Sequence, residues 1–339
     1  MIIREYQRAA EAGDADAMVT VAALLMQRGE TVEAETWCRR AAGTGHLDSM
    51  VTLAILLDRR GKPSEAHTWY RRAADRGHTD AMNLLGLMLR DRGDITDAEG
   101  WFRRAADTGH TEAMATLGLL LKRRGDLDEA ESWYRRAADA GETEAMINFG
   151  VLLQERGDDA EAETWYRRAA DAGETGAMNN LGLLLRDRGA VAEAETWYRR
   201  AADAGHPDAM NNLGVLLKSR GLLADAEIWY RRAADAGHTT AMFNFGNALE
   251  RRRQFCEAEA WYRRAADAGE TGAMSNLGVL LRRRWKFREA ELWYRRAAAT
   301  GDWTAMHNLG VLLELRWKFR EAKTWYQRAE NARMNRRDH

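Results

Sequence analysis

A methionine stands at every thirty-second position from Met18 through Met50 and Met82 to Met306. Tryptophan keeps the same step from Trp37 through Trp69 and Trp101 to Trp325. Two rare residue types holding one register ten times, with no insertion, mark an internal repeat. Such a chain folds as an array in which each unit packs on its neighbours. Two prolines among 339 residues and a charged fraction of 30% make helix the material of that unit.

Residues 177–205 show the unit. Ala177, Met178, Leu181, Gly182, Leu184 and Leu185 recur at i, i+3 and i+4, which predicts an amphipathic helix. Gly189 can end that helix in the left-handed conformation. Ala194, Trp197, Tyr198, Ala201 and Ala202 then share one face of a second helix, which Gly205 closes. Thr175 and its counterparts Thr79, Thr111, Thr143, Thr239 and Thr271 are the expected N-caps of the first helices. Gly182 and its copies are expected to let neighbouring helices approach closely. One hairpin cannot bury its own apolar stripe, but a stack of hairpins can.

The expected fold is all-α: a solenoid of helix-turn-helix repeats with twenty-one helices, forming a single domain over 1–339. Residues 1–14 read as an N-terminal half repeat, an orphan second helix with Tyr6 and Ala9 in register. Residues 15–334 make about ten repeats, and 335–339 are a tail. The stack should curve and present a concave groove lined by its first helices.

This pattern resembles the tetratricopeptide repeat family. Met178, Leu181, Gly182 and Leu185, followed by Ala194 and Tyr198, meet its W-x2-L-G-x2-Y…A-x3-F signature. The second helix and the turn after it, WYRRAADAGHTDAM in consensus form, look more like the related Sel-one-like repeats. The unit is two residues shorter than the tetratricopeptide norm and lacks its closing proline. The resemblance runs from residue 3 to about 330. It implies a right-handed superhelix that serves as a protein-interaction scaffold, with no catalytic activity shared across the family.

A column of asparagines marks the first helices: Asn148, Asn180, Asn212, Asn244, Asn276 and Asn308. Asparagine is a poor interior helix residue because its amide competes with the backbone. Two reasons could keep it there. The amides could grip the backbone of an extended peptide, as matching asparagines do in tetratricopeptide domains. They could instead bridge adjacent hairpins, and one residue can do both. Around them Gln154, Arg186, Lys218, Glu250, Arg282 and Glu314 repeat in register but change chemistry, as specificity positions would. A carboxylate clamp is not expected, because Asn179, Asn211, Phe243, Ser275 and His307 fill the positions where its lysines would stand.

An arginine closes each first helix, from Arg28 and Arg60 to Arg284 and Arg316. It reads as complementing the helix dipole in preference to forming a basic rail. The paired arginines of the second helix, such as Arg199 and Arg200, read as a solvated face. Recurrent histidines, among them His46, His78 and His206, read as turn residues. In the last repeats Gly189 is replaced by Arg253, Trp285 and Trp317. Bulky residues avoid the left-handed region, so these turns are expected to differ in geometry. Trp285 and Trp317 could anchor a partner beside Lys286 and Lys318, or pack onto Phe287 and Phe319 to seal the stack.

No catalytic constellation, phosphate loop, metal-ligand pattern or cofactor motif appears, so the chain reads as a non-enzyme without cofactor or metal. No apolar run could span a membrane, and a net charge of −1 argues against bulk capture by acidic lipid, so no membrane partner is expected. The charged N-terminus does not read as a signal peptide. Cys38 and Cys256 read as reduced thiols in a cytoplasmic protein. The expected function is an adaptor that holds an extended peptide or partner protein in the groove. Residues 1–240 carry −9 and 241–339 carry +8, so end-to-end self-assembly into a homo-oligomer is the alternative. Single-stranded nucleic-acid binding is a weaker one, because net charge is only −1.

Overall fold

A computed structural model describes residues 2–335. They form twenty-one helices, and no strand occurs among the described residues. The chain divides into two compact units, 1–172 and 173–339. The first holds eleven helices, from Ile2–Glu11 to Asp159–Asp171. The second holds ten, from Thr175–Asp187 to Phe319–Asn335. Within each unit every helix packs on the helices before and after it in sequence. The expected tail 335–339 lies outside the described residues, apart from the backbone of Asn335, which ends the last helix.

The unit is the expected hairpin. In 175–203, helix Thr175–Asp187 turns through Gly189 into helix Val191–Asp203. Ala177, Leu181, Ala194, Tyr198, Ala201 and Ala202 are fully buried, and Met178 and Trp197 nearly so. The methionine column is core from Met18 to Met274, and the tryptophan column is buried at Trp133, Trp165, Trp197, Trp229 and Trp293 and half-buried elsewhere. Gly182 has a more specific task than close helix approach. A Cβ there would lie 2.6 Å from Cε1 of Tyr198, so the missing side chain makes room for that ring. The same relation joins Gly118 to Tyr134, Gly214 to Tyr230 and Gly278 to Tyr294. Burial pushes the Tyr198 hydroxyl up to about 12.

The N-caps sit one residue earlier than expected. Thr79, Thr111 and Thr239 are first helical residues, and the caps are His78, His110 and His238. In each of these histidines Nδ1 accepts the backbone N–H three residues on. The proton must then sit on Nε2. That nitrogen faces an aspartate of the preceding hairpin: Asp48 at 2.8 Å from His78, Asp208 at 2.9 Å from His238. A carboxylate partner fixes the tautomer that the cap requires. At Glu174 and Glu270 the cap position is filled without a side-chain cap bond.

The last turns do not differ in geometry. Arg253, Trp285 and Trp317 take φ of 60°, 61° and 62°, in the left-handed region that Gly189 occupies at 82°. The hydrogen bonds match as well. Gly189 N–H donates to Arg186 O at 2.9 Å and Ala190 N–H to Leu185 O at 2.8 Å. Trp317 N–H donates to Glu314 O and Lys318 N–H to Leu313 O, both at 2.9 Å. Satisfying the free carbonyls of the ending helix outweighs a left-handed penalty of about 1–2 kcal/mol per residue.

Candidate functional site

In the second unit the asparagine column lies where consecutive first helices meet. All six side chains, Asn148, Asn180, Asn212, Asn244, Asn276 and Asn308, are half-buried. In the second unit three of them bridge hairpins. Asn212 Nδ2 donates to Asn179 Oδ1 at 2.9 Å, and Asn244 Nδ2 to Asn211 Oδ1 at 3.0 Å. Asn276 Nδ2 donates to Asn247 Oδ1 at 2.8 Å, and that oxygen also accepts from the Tyr262 hydroxyl at 2.7 Å. The sequence reading missed the buried acceptors. Asn179 and Asn211 are 7% and 8% exposed, so at these two repeats the position just before the column belongs to the interior. A buried amide oxygen needs a partner, and the next hairpin's asparagine supplies it.

The charged positions beside the column are unequal. Lys218 is exposed. Arg186 pairs with its neighbour Asp187 at 2.8 Å, which holds the guanidinium in place. Arg282 is half-buried, with its Nε enclosed and unpartnered among the described residues. Trp285 and Trp317 are not part of this surface. They sit at the turns between first and second helices and are 80% and 82% exposed. Each meets its phenylalanine edge-on, Phe287 at 5.6 Å and Phe319 at 5.8 Å. With four-fifths of each indole in solvent, they seal nothing.

The arginines are committed to structure in a way the sequence did not reveal. Arg220 pairs with Glu195, Arg252 with Glu227, Arg284 with Glu259 and Arg316 with Glu291. Each ion pair ties the end of a first helix to the second helix of the hairpin before. Glu195, Glu259 and Glu291 also accept from the arginine four residues on, as Glu195 does from Arg199 at 3.0 Å, whereas Arg231 turns from Glu227 to Asp235. Arg263 and Arg295 continue to Glu289 and Glu321 of the following hairpin. The result is a ladder of alternating charge across the second helices. In the first unit Arg60–Glu35–Arg39–Glu65 and Arg124–Glu99–Arg103–Glu129 repeat it.

Burial alone would push the Glu259 carboxyl up. Hydrogen bonds from Arg263 and the charges of Lys286 and Arg284 outweigh that and hold it below the usual carboxylate range. The second arginine of each pair is not simply solvated. Arg200 lies over the Trp197 ring at 4.3 Å and Arg264 over Trp261 at 4.1 Å, cation–π contacts three residues apart on the helix. A guanidinium that is stacked or ion-paired offers little to phosphate. No helix among the described residues is long and apolar enough to cross a membrane. No cluster of three or more metal-ligating side chains occurs among them.

Profiles of the tetratricopeptide repeat match residues 51–113, 115–177, 175–204, 208–236 and 271–301. The Sel1 repeat profile matches 253–270 and 303–332. The chain belongs to the tetratricopeptide and Sel1 repeat family. Among solved structures it is similar to a protective antigen of uropathogenic Escherichia coli strains displaying an SLR fold. That match has 26% identity and a TM-score of 0.67, over 96% of this chain and 79% of the other. A Sel1 repeat protein from Oxalobacter formigenes matches at 26% identity and a TM-score of 0.65, over 86% of this chain and 91% of that one. No curated protein gives a significant sequence match. The fold is thus that of Sel1-type repeat solenoids, commonly protein-interaction scaffolds.

Proposed function

We propose that the chain is a protein-interaction scaffold that holds an extended peptide segment of a partner along the asparagine column of its first helices. The carrying observation is the bridging of Asn212 to Asn179, repeated at Asn244 and Asn276. Each bridge uses one N–H of the column amide. At Asn212 and Asn244 the second N–H and the carbonyl oxygen would pair with a ligand backbone, regardless of its side chains. An amide already held in place loses little freedom on binding, which favours affinity. Bridging and binding are thus compatible roles, and Lys218, Arg186 and Arg282 would set which side chains the ligand carries. Free thiols at Cys38 and Cys256 suit a reducing, cytoplasmic setting.

Selection from a displayed random-peptide library tests this reading. Asn180 is half-buried and takes no part in the bridges of Asn212, Asn244 and Asn276. Asn180→Leu should weaken a selected peptide tenfold or more and leave the unfolding midpoint unchanged. Equal affinity would refute peptide capture by the column. The charge division of −9 over 1–240 and +8 over 241–339 favours, as a second reading, salt-sensitive self-association. Sedimentation that shows a monomer at low salt and high concentration would exclude it.

A further inference from the structure

In the second unit the last three turns between first and second helices carry Arg253, Trp285 and Trp317 where the other turns carry glycine. The first residue of each second helix is apolar there: Val191, Leu223, Phe255, Phe287 and Phe319. Phe319 is 57% exposed, and Leu315 beside it 56%. Trp285 and Trp317 project from the same edge, and neighbouring turns meet, since Trp285, Phe287 and Arg316 line one shallow cavity of ≈ 420 Å³. Large contiguous exposed apolar groups on a soluble domain mark an interaction surface.

Charge changes along with apolarity. Segments 251–257, 283–289 and 315–321 carry +2, +3 and +2, whereas the matching segments 187–193 and 219–225 carry −1 and 0. Arg253, Arg288 and Arg320 are exposed and have no ion pair among the described residues. Lys286 and Lys318 flank the tryptophans, with their closest carboxylates at 3.4 and 3.5 Å. The edge therefore combines projecting indoles, phenylalanines, the unpaired guanidiniums of Arg253, Arg288 and Arg320, and two lysines in long ion pairs.

We propose that this edge, centred on Trp285 and Trp317, is a peripheral docking surface for an anionic lipid membrane. Tryptophan has an apolar body and a polar N–H, and settles at the boundary between headgroups and acyl chains. Lysine and arginine beside it meet anionic headgroups while their stems remain with the apolar layer. The indoles stand about four-fifths exposed, Trp285 at the rim of that shallow cavity, so they fit a soft surface that closes around them. A folded partner would have to offer two matching cavities one repeat apart. Attachment would be peripheral, independent of the asparagine column.

The test is co-sedimentation of the full chain with vesicles of equal parts phosphatidylglycerol and phosphatidylcholine, against phosphatidylcholine alone. Binding should need the anionic lipid and weaken as salt is raised. Trp285→Gly with Trp317→Gly restores the residue that other turns use, so it removes the indoles without endangering the fold. That variant should lose at least tenfold in vesicle affinity with a melting temperature no lower than wild type, and Asn180→Leu should bind vesicles normally. Wild-type protein that does not pellet, or a double variant that pellets equally, would overturn the proposal. So would tryptophan-dependent self-association or single-stranded DNA binding in place of vesicle binding.

Discussion

After Thr175–Asp187 the chain reverses on Gly189, and after Thr271–Arg283 it reverses on Trp285, both with φ in the left-handed region, at 82° and 61°, and with the same two hydrogen bonds. One turn uses the residue best suited to the left-handed region. The other uses one that costs about 1–2 kcal/mol there. The flanking helices, whose carbonyls need those donors and whose faces are buried in their neighbours, dictate the reversal. The side chain at the turn is then free to serve the surface. Strained backbone at successive turns in the last hairpins, each carrying an exposed bulky residue, is how function is expected to mark a repeat array. Arg253 fits the same pattern one hairpin earlier.

The comparison holds only if the two hairpins share their interior. The largest expected effect tests that. Gly182→Val and Gly278→Val each place a Cβ against a buried tyrosine ring, at 2.6 Å from Tyr198 and 2.5 Å from Tyr294. Each should destabilise the protein by about 3 kcal/mol in denaturant unfolding, despite glycine's poor helix propensity. A clear difference between them would show that the hairpins are packed differently. A smaller effect should come from acid. The carboxyls of Glu35 in the first unit and Glu259 in the second are held below their ordinary range by arginine partners. A depressed folded value means stability that is present above the unfolded value, about 4.3, and is lost as pH falls through the folded one. Melting temperature should therefore fall progressively below pH 5 and do so for both units, whereas loss in one unit alone would confine the ladder to it.

Much of this was legible because the period is strict. The Met178 and Trp197 columns, the helical hairpin and the turn at Gly189 follow from spacing within one unit. What escaped lies between units. The partners Asn212–Asn179, Arg220–Glu195 and His238–Asp208 are 33, 25 and 30 residues apart. A repeat shows which residues occupy equivalent positions, but only the stacking geometry decides which columns touch. His78 as an N-cap was missed because histidine is not a usual capping residue, and its Nδ1 qualifies only while Asp48 holds the proton on Nε2. Trp285 was misjudged because a local preference was applied where packing of the flanking helices is stronger. Of the candidate site, the asparagine column was visible, and its buried acceptors Asn179 and Asn211 were not.

The central claim is that the last turns give up stability for the side chains they display. Denaturant unfolding of Trp285→Gly with Trp317→Gly, alongside Gly189→Trp, tests it most directly. The account predicts a gain of about 1 kcal/mol per tryptophan replaced and a loss of about 1–2 kcal/mol for the reverse exchange. A double glycine variant less stable than the parent would contradict it, because the tryptophans would then be holding the fold together.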